Sequence, residues 1–122
     1  MELIAVEGLT IDHETGSSCS GGTFTIVSIA STKVKVNGNG VYSQSISFTF
    51  SGGTYSGGVS GTASGGGIIN ATSNKVKVEG SYVMRLNDEG DLTGTHIVGN
   101  TSTAFSSKVL IADANQEKVN AN

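Results

Sequence analysis

The sequence of 122 residues has no proline, no tryptophan and one cysteine, and charged residues make up only 14% of it. A single cysteine excludes an internal disulfide bond. Disordered chains usually combine a high net charge with few β-branched residues. Here the formal net charge is −3, and Val, Ile and Thr are abundant. We therefore expect a folded chain, and its length suits one domain.

Several functional classes are disfavoured by what is missing. The basic residues are few and scattered, so we expect no nucleic-acid partner, which would require a basic stripe for phosphate contacts. No apolar run approaches the ~20 residues of a membrane span. The opening residues MELIAVEGL carry two acidic residues where a secretory signal would be basic. We expect no signal peptide, and synthesis in the cytoplasm.

Glycine and β-branched residues dominate what is present, and they favour many short strands joined by tight turns. The sequence therefore predicts an all-β fold. In residues 45–50, Ile46, Phe48 and Phe50 alternate with polar residues and predict a strand with one apolar face. The glycine-rich stretch of residues 51–67 supports a strand poorly and is predicted to be an insertion.

One phrase occurs twice: KVKVNGNGVY at residues 33–42 and KVKVEGSYVM at residues 75–84. The Lys-Val alternation predicts strands with their lysines in solvent, and Asn37-Gly38 predicts a tight turn. Residues 108–111 resemble a degenerate third copy. A single hairpin cannot bury its own apolar face, so we expect the units to pack around a common axis as a small cone.

Packing around an axis would bring equivalent polar loops together at the narrow end, where His13, Cys19 and His96 are the candidate metal ligands. Nitrogen and sulfur donors suit Zn or Fe, and we expect one structural ion pinning the apex. Asp12, Asp91 or a water would supply a fourth ligand. The plainer interpretation makes both histidines exposed loop residues and Cys19 a small buried apolar residue.

The residues around the two copies resemble the repeating phrase of the PAAR family. In that family a Gly-Asp, a His or Cys before Gly-Gly and a Ser-x-x-Val-x-Val-Asn-Gly recur before Pro-Ala-Ala-Arg. The first unit here matches at Gly8, Asp12, Cys19, Gly21, Gly22, Ser31, Val34, Val36, Asn37 and Gly38. The second matches at Ser73, Val76, Val78, Glu79, Gly80, Asn87, Asp88 and His96. Tyr82-Val83-Met84-Arg85 stands where the name motif would, so only Arg85 survives of it.

This resemblance implies a structural, membrane-piercing cone that caps the trimeric central spike of a contractile injection machine: a phage tail, a pyocin-like particle or a type VI secretion device. Members carry a metal near the apex and bind the spike end-on, one tip per trimer. Residues 1–112 would form the cone, with the insertion at about 51–67, and residues 113–122 a polar C-terminal tail. The tip would act outside the producing cell or particle, in transient contact with a target cell's outer membrane. The base would lie near the Lys-Val strands and the apolar face of Ile46, Phe48 and Phe50.

Two functional classes other than the spike tip are an enzyme and a binding module. Catalysis is not expected, because the sequence has no Gly-x-Ser-x-Gly elbow, no His-Glu-x-x-His helix and no defined carboxylate pair. The alternative is a Ser/Thr/Gly-rich β-sandwich or β-solenoid adhesin that binds a surface glycan or receptor. Such a module needs exposed aromatic platforms, and Phe24, Phe48, Phe50 and Tyr82 occupy predicted core positions.

Overall fold

The computed structural model describes residues 2–17, 19–55 and 61–121. The predicted all-β class is confirmed: these residues form strands and turns, without a helix. No helix among them is long and apolar enough to cross a membrane. The strands in this part of the chain are β1 (Glu2–Leu3), β2 (Thr10–His13), β3 (Cys19–Ile26), β4 (Lys35–Val36), β5 (Asn39–Gly40), β6 (Ser45–Tyr55), β7 (Gly61–Asn70), β8 (Lys77–Val78), β9 (Ser81–Tyr82), β10 (Glu89–Val98), β11 (Thr101–Asp113) and β12 (Asn120–Ala121).

Six of these strands form one antiparallel sheet in the order β2-β11-β10-β7-β6-β3. The sheet curls until its edge strands β2 and β3 approach each other, and the Nε2 of His13 lies 2.9 Å from the carbonyl oxygen of Gly21. The result is a nearly closed barrel built from two long hairpins, β6–β7 and β10–β11, and the two edge strands β2 and β3, which follow one another in the chain. Its interior takes alternate residues of each strand, as a half-exposed sheet requires.

The apolar face predicted for residues 45–50 exists, but it lies inside the barrel. Ile46, Phe48 and Phe50 are 0%, 3% and 2% exposed. They pack with buried residues of the other long strands, including Leu92 and Val109. Because a closed sheet covers its own apolar face, these side chains are not available to a partner, and their position near the base of the tip stays a prediction.

The expectation that residues 51–67 would support a strand poorly was wrong for those of them that the structure describes, while their being an insertion stays a prediction. Residues 51–55 complete β6, residues 61–67 begin β7, and both strands are paired on both edges within the sheet. Residues 56–60 lie outside the described part of the chain. Glycine is a weak strand former in isolation, but here neighbouring strands satisfy the backbone on both sides.

Glycine also permits a close approach between β7 and β10. A Cβ placed on Gly65 would collide with the carbonyl oxygen of Thr93, and one on Gly94 with that of Ser64. Gly65 and Gly94 are directly paired across the two strands. The glycines are therefore required by the tight curl of the sheet, which brings backbone against backbone.

Three small two-stranded sheets stand apart from the barrel: β4–β5, β8–β9 and β12–β1. The first two are made by the repeated phrase, with positive φ angles at Asn37, Gly38, Glu79 and Gly80 in their turns. The lysines of both copies are exposed, as predicted. The third sheet joins residues 120–121, which we expected in a polar tail, to β1.

Candidate functional site

Three short segments close a ring at one end of the barrel: residues 4–6, 41–43 and 83–85. Isolated antiparallel bridges join each segment to the next, pairing Val6 with Val41, Ser43 with Val83 and Arg85 with Ile4. Each segment leads into two consecutive long strands: β2 and β3, β6 and β7, or β10 and β11. The three-segment ring therefore holds the starting points of the three strand pairs together.

Main-chain hydrogen bonds run round the ring in two sets, each of which keeps one donor-to-acceptor sense, opposite to that of the other set. In the inner set, Tyr42 N donates to Ala5 O (3.1 Å), Met84 N to Tyr42 O (2.9 Å) and Ala5 N to Met84 O (2.8 Å). In the outer set, Glu7 N donates to Gly40 O (2.9 Å), Gln44 N to Tyr82 O (2.8 Å) and Leu86 N to Leu3 O (2.7 Å). In the outer set each donor lies two residues after a middle residue, and each acceptor two residues before the next one. Both sets thus have the cyclic order of a three-fold arrangement.

The valine directly before β4, β8 or β12 accepts a hydrogen bond from the first residue of a ring segment. Val41 N donates to Val34 O (3.1 Å), Val83 N to Val76 O (3.1 Å) and Ile4 N to Val119 O (2.9 Å). Each of these valines follows a lysine: Lys33, Lys75 and Lys118. The bond between Ile4 and Val119 thus corresponds to the bond that each sequence copy makes between two of its own valines.

The residue two positions before each of these lysines has a polar side chain that hydrogen-bonds to main-chain groups beside the ring. Ser31 Oγ accepts from the amides of Lys33 and Val34, and Ser73 Oγ donates to Val83 O at 2.7 Å. Gln116 makes both kinds of hydrogen bond at the third position of the ring. Its Oε1 accepts from the amides of Lys118 and Val119, and its Nε2 donates to the carbonyls of Ile4 and Val119, all within 2.8 Å.

The ring separates two apolar clusters. Its middle residues Ala5, Tyr42 and Met84 belong to the barrel core. The flanking residues form a second cluster made of Ile4, Val6, Val41, Val78 and Val83, with Val36 against it. Because neighbouring residues of an extended segment point to opposite sides, the second cluster and its small sheets lie across the ring from the barrel.

Sequence reasoning found two of these three positions and missed the third. Residues 108–111, expected to be the third copy, lie within β11 and pair with β10 and β2. Residues 118–121 together with 2–7 take the third position instead. The available signal was the Lys118-Val119 pair, but no turn or second valine follows it, and its capping residue is Gln rather than Ser.

His13 lies in β2 with its ring against Phe24 and Phe50, at centroid distances of 5.1 and 5.3 Å. Its Nε2 is engaged with Gly21 O, and its Nδ1 is buried with no hydrogen-bond partner among the described residues. The ring therefore packs as part of the aromatic cluster inside the barrel.

Cys19 and His96 both have Tyr55 as a neighbour. Cys19 is directly opposite Tyr55 in the β3–β6 pair, and the His96 ring lies 5.1 Å from the Tyr55 ring. Cys19 is 1% exposed and His96 is 6% exposed. Burial raises the pKa of the Cys19 thiol, so without a metal its sulfur is protonated at neutral pH.

No group of three His, Cys, Asp or Glu side chains in the described parts of the chain is placed to hold a metal ion. The carboxylates suggested as a fourth ligand have other contacts: Asp12 accepts from the His13 amide at 2.7 Å, and Asp91 pairs with Lys108. A single Zn or Fe ion on His13, Cys19 and His96 stays a prediction.

Elemental analysis of purified protein tests that prediction. If the ion is structural, we expect about one Zn or Fe per chain, and its removal by a chelator should lower the melting temperature because metal binding is part of the folding free energy. Cys19→Ala and His96→Ala should each lose the metal. A metal-free preparation, or chelation that leaves the melting temperature unchanged, would contradict it.

Arg85 holds a buried carboxylate beside the ring. Asp88 is 3% exposed, its Oδ2 accepts from the Arg85 amide at 2.8 Å, and its Oδ1 accepts from Thr72. The Arg85 guanidinium donates to Thr72 at 2.8 Å and lies 3.9 Å from Asp88. This arrangement compensates the buried charge, so Arg85 has a structural role at the start of the β10–β11 hairpin.

No family model, curated protein or solved structure matches this chain.

Proposed function

We propose that this protein is the tip of a contractile injection machine, where it caps the end of a trimeric spike. The observation that supports this most is the cyclic order of the hydrogen bonds around the three-segment ring. A trimeric partner presents three identical chain ends around one axis. A single chain matches such an end when it offers three equivalent segments in the same cyclic order, as a three-fold interface requires.

The two faces of the ring suit the two ends of a tip. On one side, the three pairs of long strands continue away from the ring as a curled barrel with a packed aromatic interior. Such a closed sheet leaves few free edges and is stiff. On the other side, three small sheets surround a second apolar cluster. Strands β5, β9 and β1 of these sheets are also bonded to the ring, whereas β4, β8 and β12 each pair with one strand, so a partner's terminal strands can add to them.

One observation favours the alternative function, an adhesin for a glycan or receptor. Tyr82, expected in the core, is 39% exposed, and the ammonium of Lys77 lies 4.8 Å from its ring centroid. An exposed tyrosine is the kind of platform on which a sugar stacks. The cyclic ring has no role in that function, and for this reason we favour the spike tip.

Purified particles of the producing strain provide the functional test. We expect the protein in assembled contractile particles at one copy each, measured by quantitative mass spectrometry against the spike protein. Deleting its gene should leave sheath and tube assembly detectable but reduce killing or delivery. Glycan-array binding by the protein, combined with its absence from the particles, would instead establish the adhesin.

A further inference from the structure

Three valines and three lysines at the ring's outer side share one environment. Val34, Val76 and Val119 are 39%, 36% and 40% exposed, whereas the valines of the second apolar cluster, Val6, Val41, Val78 and Val83, are at most 6% exposed. Each follows an exposed lysine, Lys33, Lys75 or Lys118. Because each valine makes the same hydrogen bond to the ring, the three Lys-Val pairs lie at equal height around the ring axis.

Charge is divided unevenly between this end and the rest of the chain. Residues 33–44, 75–86, and 118–122 with 1–7 contain six of the seven basic residues but three of the ten acidic ones. They carry a net charge of +3, and the remaining residues carry −6. An acidic protein thus concentrates its cations at the end where its equivalent valines are exposed.

On the basis of the proposed function, we infer that the three Lys-Val pairs form the surface that docks on the spike. The end of the spike that binds there is acidic and three-fold symmetric. Each partner chain places one small apolar contact on a valine and one carboxylate beside the neighbouring lysine. The valines supply contact area, since exposed apolar side chains gain by being covered. The lysines steer association and fix the rotational register through charge complementarity.

The test measures binding to the purified trimeric spike encoded with this protein, at two or more salt concentrations. Lys33→Glu, Lys75→Glu and Lys118→Glu should each weaken binding to a similar extent, about fivefold to tenfold, with most of the change in the association rate. The triple reversal should abolish measurable binding at physiological salt. Lys108→Glu, an exposed lysine on the barrel, is the matched control and should change affinity less than twofold.

A second series tests the apolar contact. Val34→Ser, Val76→Ser and Val119→Ser remove half-exposed side chains, so each should fold and each should raise the dissociation rate. If the parent binds the spike and the triple lysine reversal binds equally well, the inference is overturned while the spike-tip function stands. Unequal effects confined to one lysine also overturn it. If the parent does not bind the spike at all, the proposed function itself fails.

Discussion

Replacing Gly65 by alanine is expected to lower the free energy of unfolding by about 3 kcal/mol, at the upper end for overpacking. Gly65 does not have a positive φ, so the cost is not one of backbone conformation. It arises because the added methyl group would collide with the carbonyl oxygen of Thr93 on the neighbouring strand. A backbone atom cannot rotate away as a side chain can, so β7 and β10 would have to separate.

Urea unfolding followed by circular dichroism measures this effect. Thr95→Ala is the matched control: it changes an exposed residue of β10, one position beyond Gly94, and should alter stability by less than about 0.5 kcal/mol. Gly67→Ala should behave like Gly65→Ala, because its Cβ would collide with the carbonyl oxygen of Asp91. Parent-like unfolding of both glycine variants would show that the sheet is not curled as described.

Gln116→Ala is expected to cost about 2–4 kcal/mol, because buried groups lose their partners. Gln116 is 6% exposed, and its amide makes four hydrogen bonds to main-chain groups at the third position of the ring. Removing it leaves the carbonyl of Ile4 and the amides of Lys118 and Val119 without these partners. Alanine cannot supply them.

Two further variants calibrate the result. Ser73→Ala removes the single buried hydrogen bond to Val83 O and should cost about 1 kcal/mol. Glu117→Ala changes an exposed neighbour and should have almost no effect. Thermal unfolding ranks the three, and the expected order of loss is Gln116, Ser73, Glu117. If Gln116→Ala melts like Glu117→Ala, the third position does not hold the ring together.

The fold class and the two hairpins of the repeated phrase followed from sequence because their causes are local. Alternating Lys and Val with Asn37-Gly38 at the turn specifies a hairpin without reference to the rest of the chain. The strands at residues 51–55 and 61–67 did not follow, because nothing local favours a strand of glycine and serine. Their stability comes from neighbours on both edges that only the folded sheet supplies.

The third ring position escaped prediction for a different reason. It combines residues 118–121 with residues 2–7, which are far apart in sequence and keep little of the repeated phrase beyond Lys118-Val119. Gln116 replaces the serine found at the other two positions, and chemistry of this kind is visible only when its hydrogen bonds are seen. The candidate metal ligands, by contrast, were chosen by residue type, and contacts with Phe24, Phe50 and Tyr55 could not be anticipated.

Native mass spectrometry of the protein mixed with its trimeric spike tests the central claim most directly. The protein alone should appear as a 12.3 kDa monomer, because its three ring segments already come from one chain. In the mixture we predict a complex of one such chain with three spike chains. A self-trimer, three copies bound to each spike trimer, or no complex at all would contradict the account.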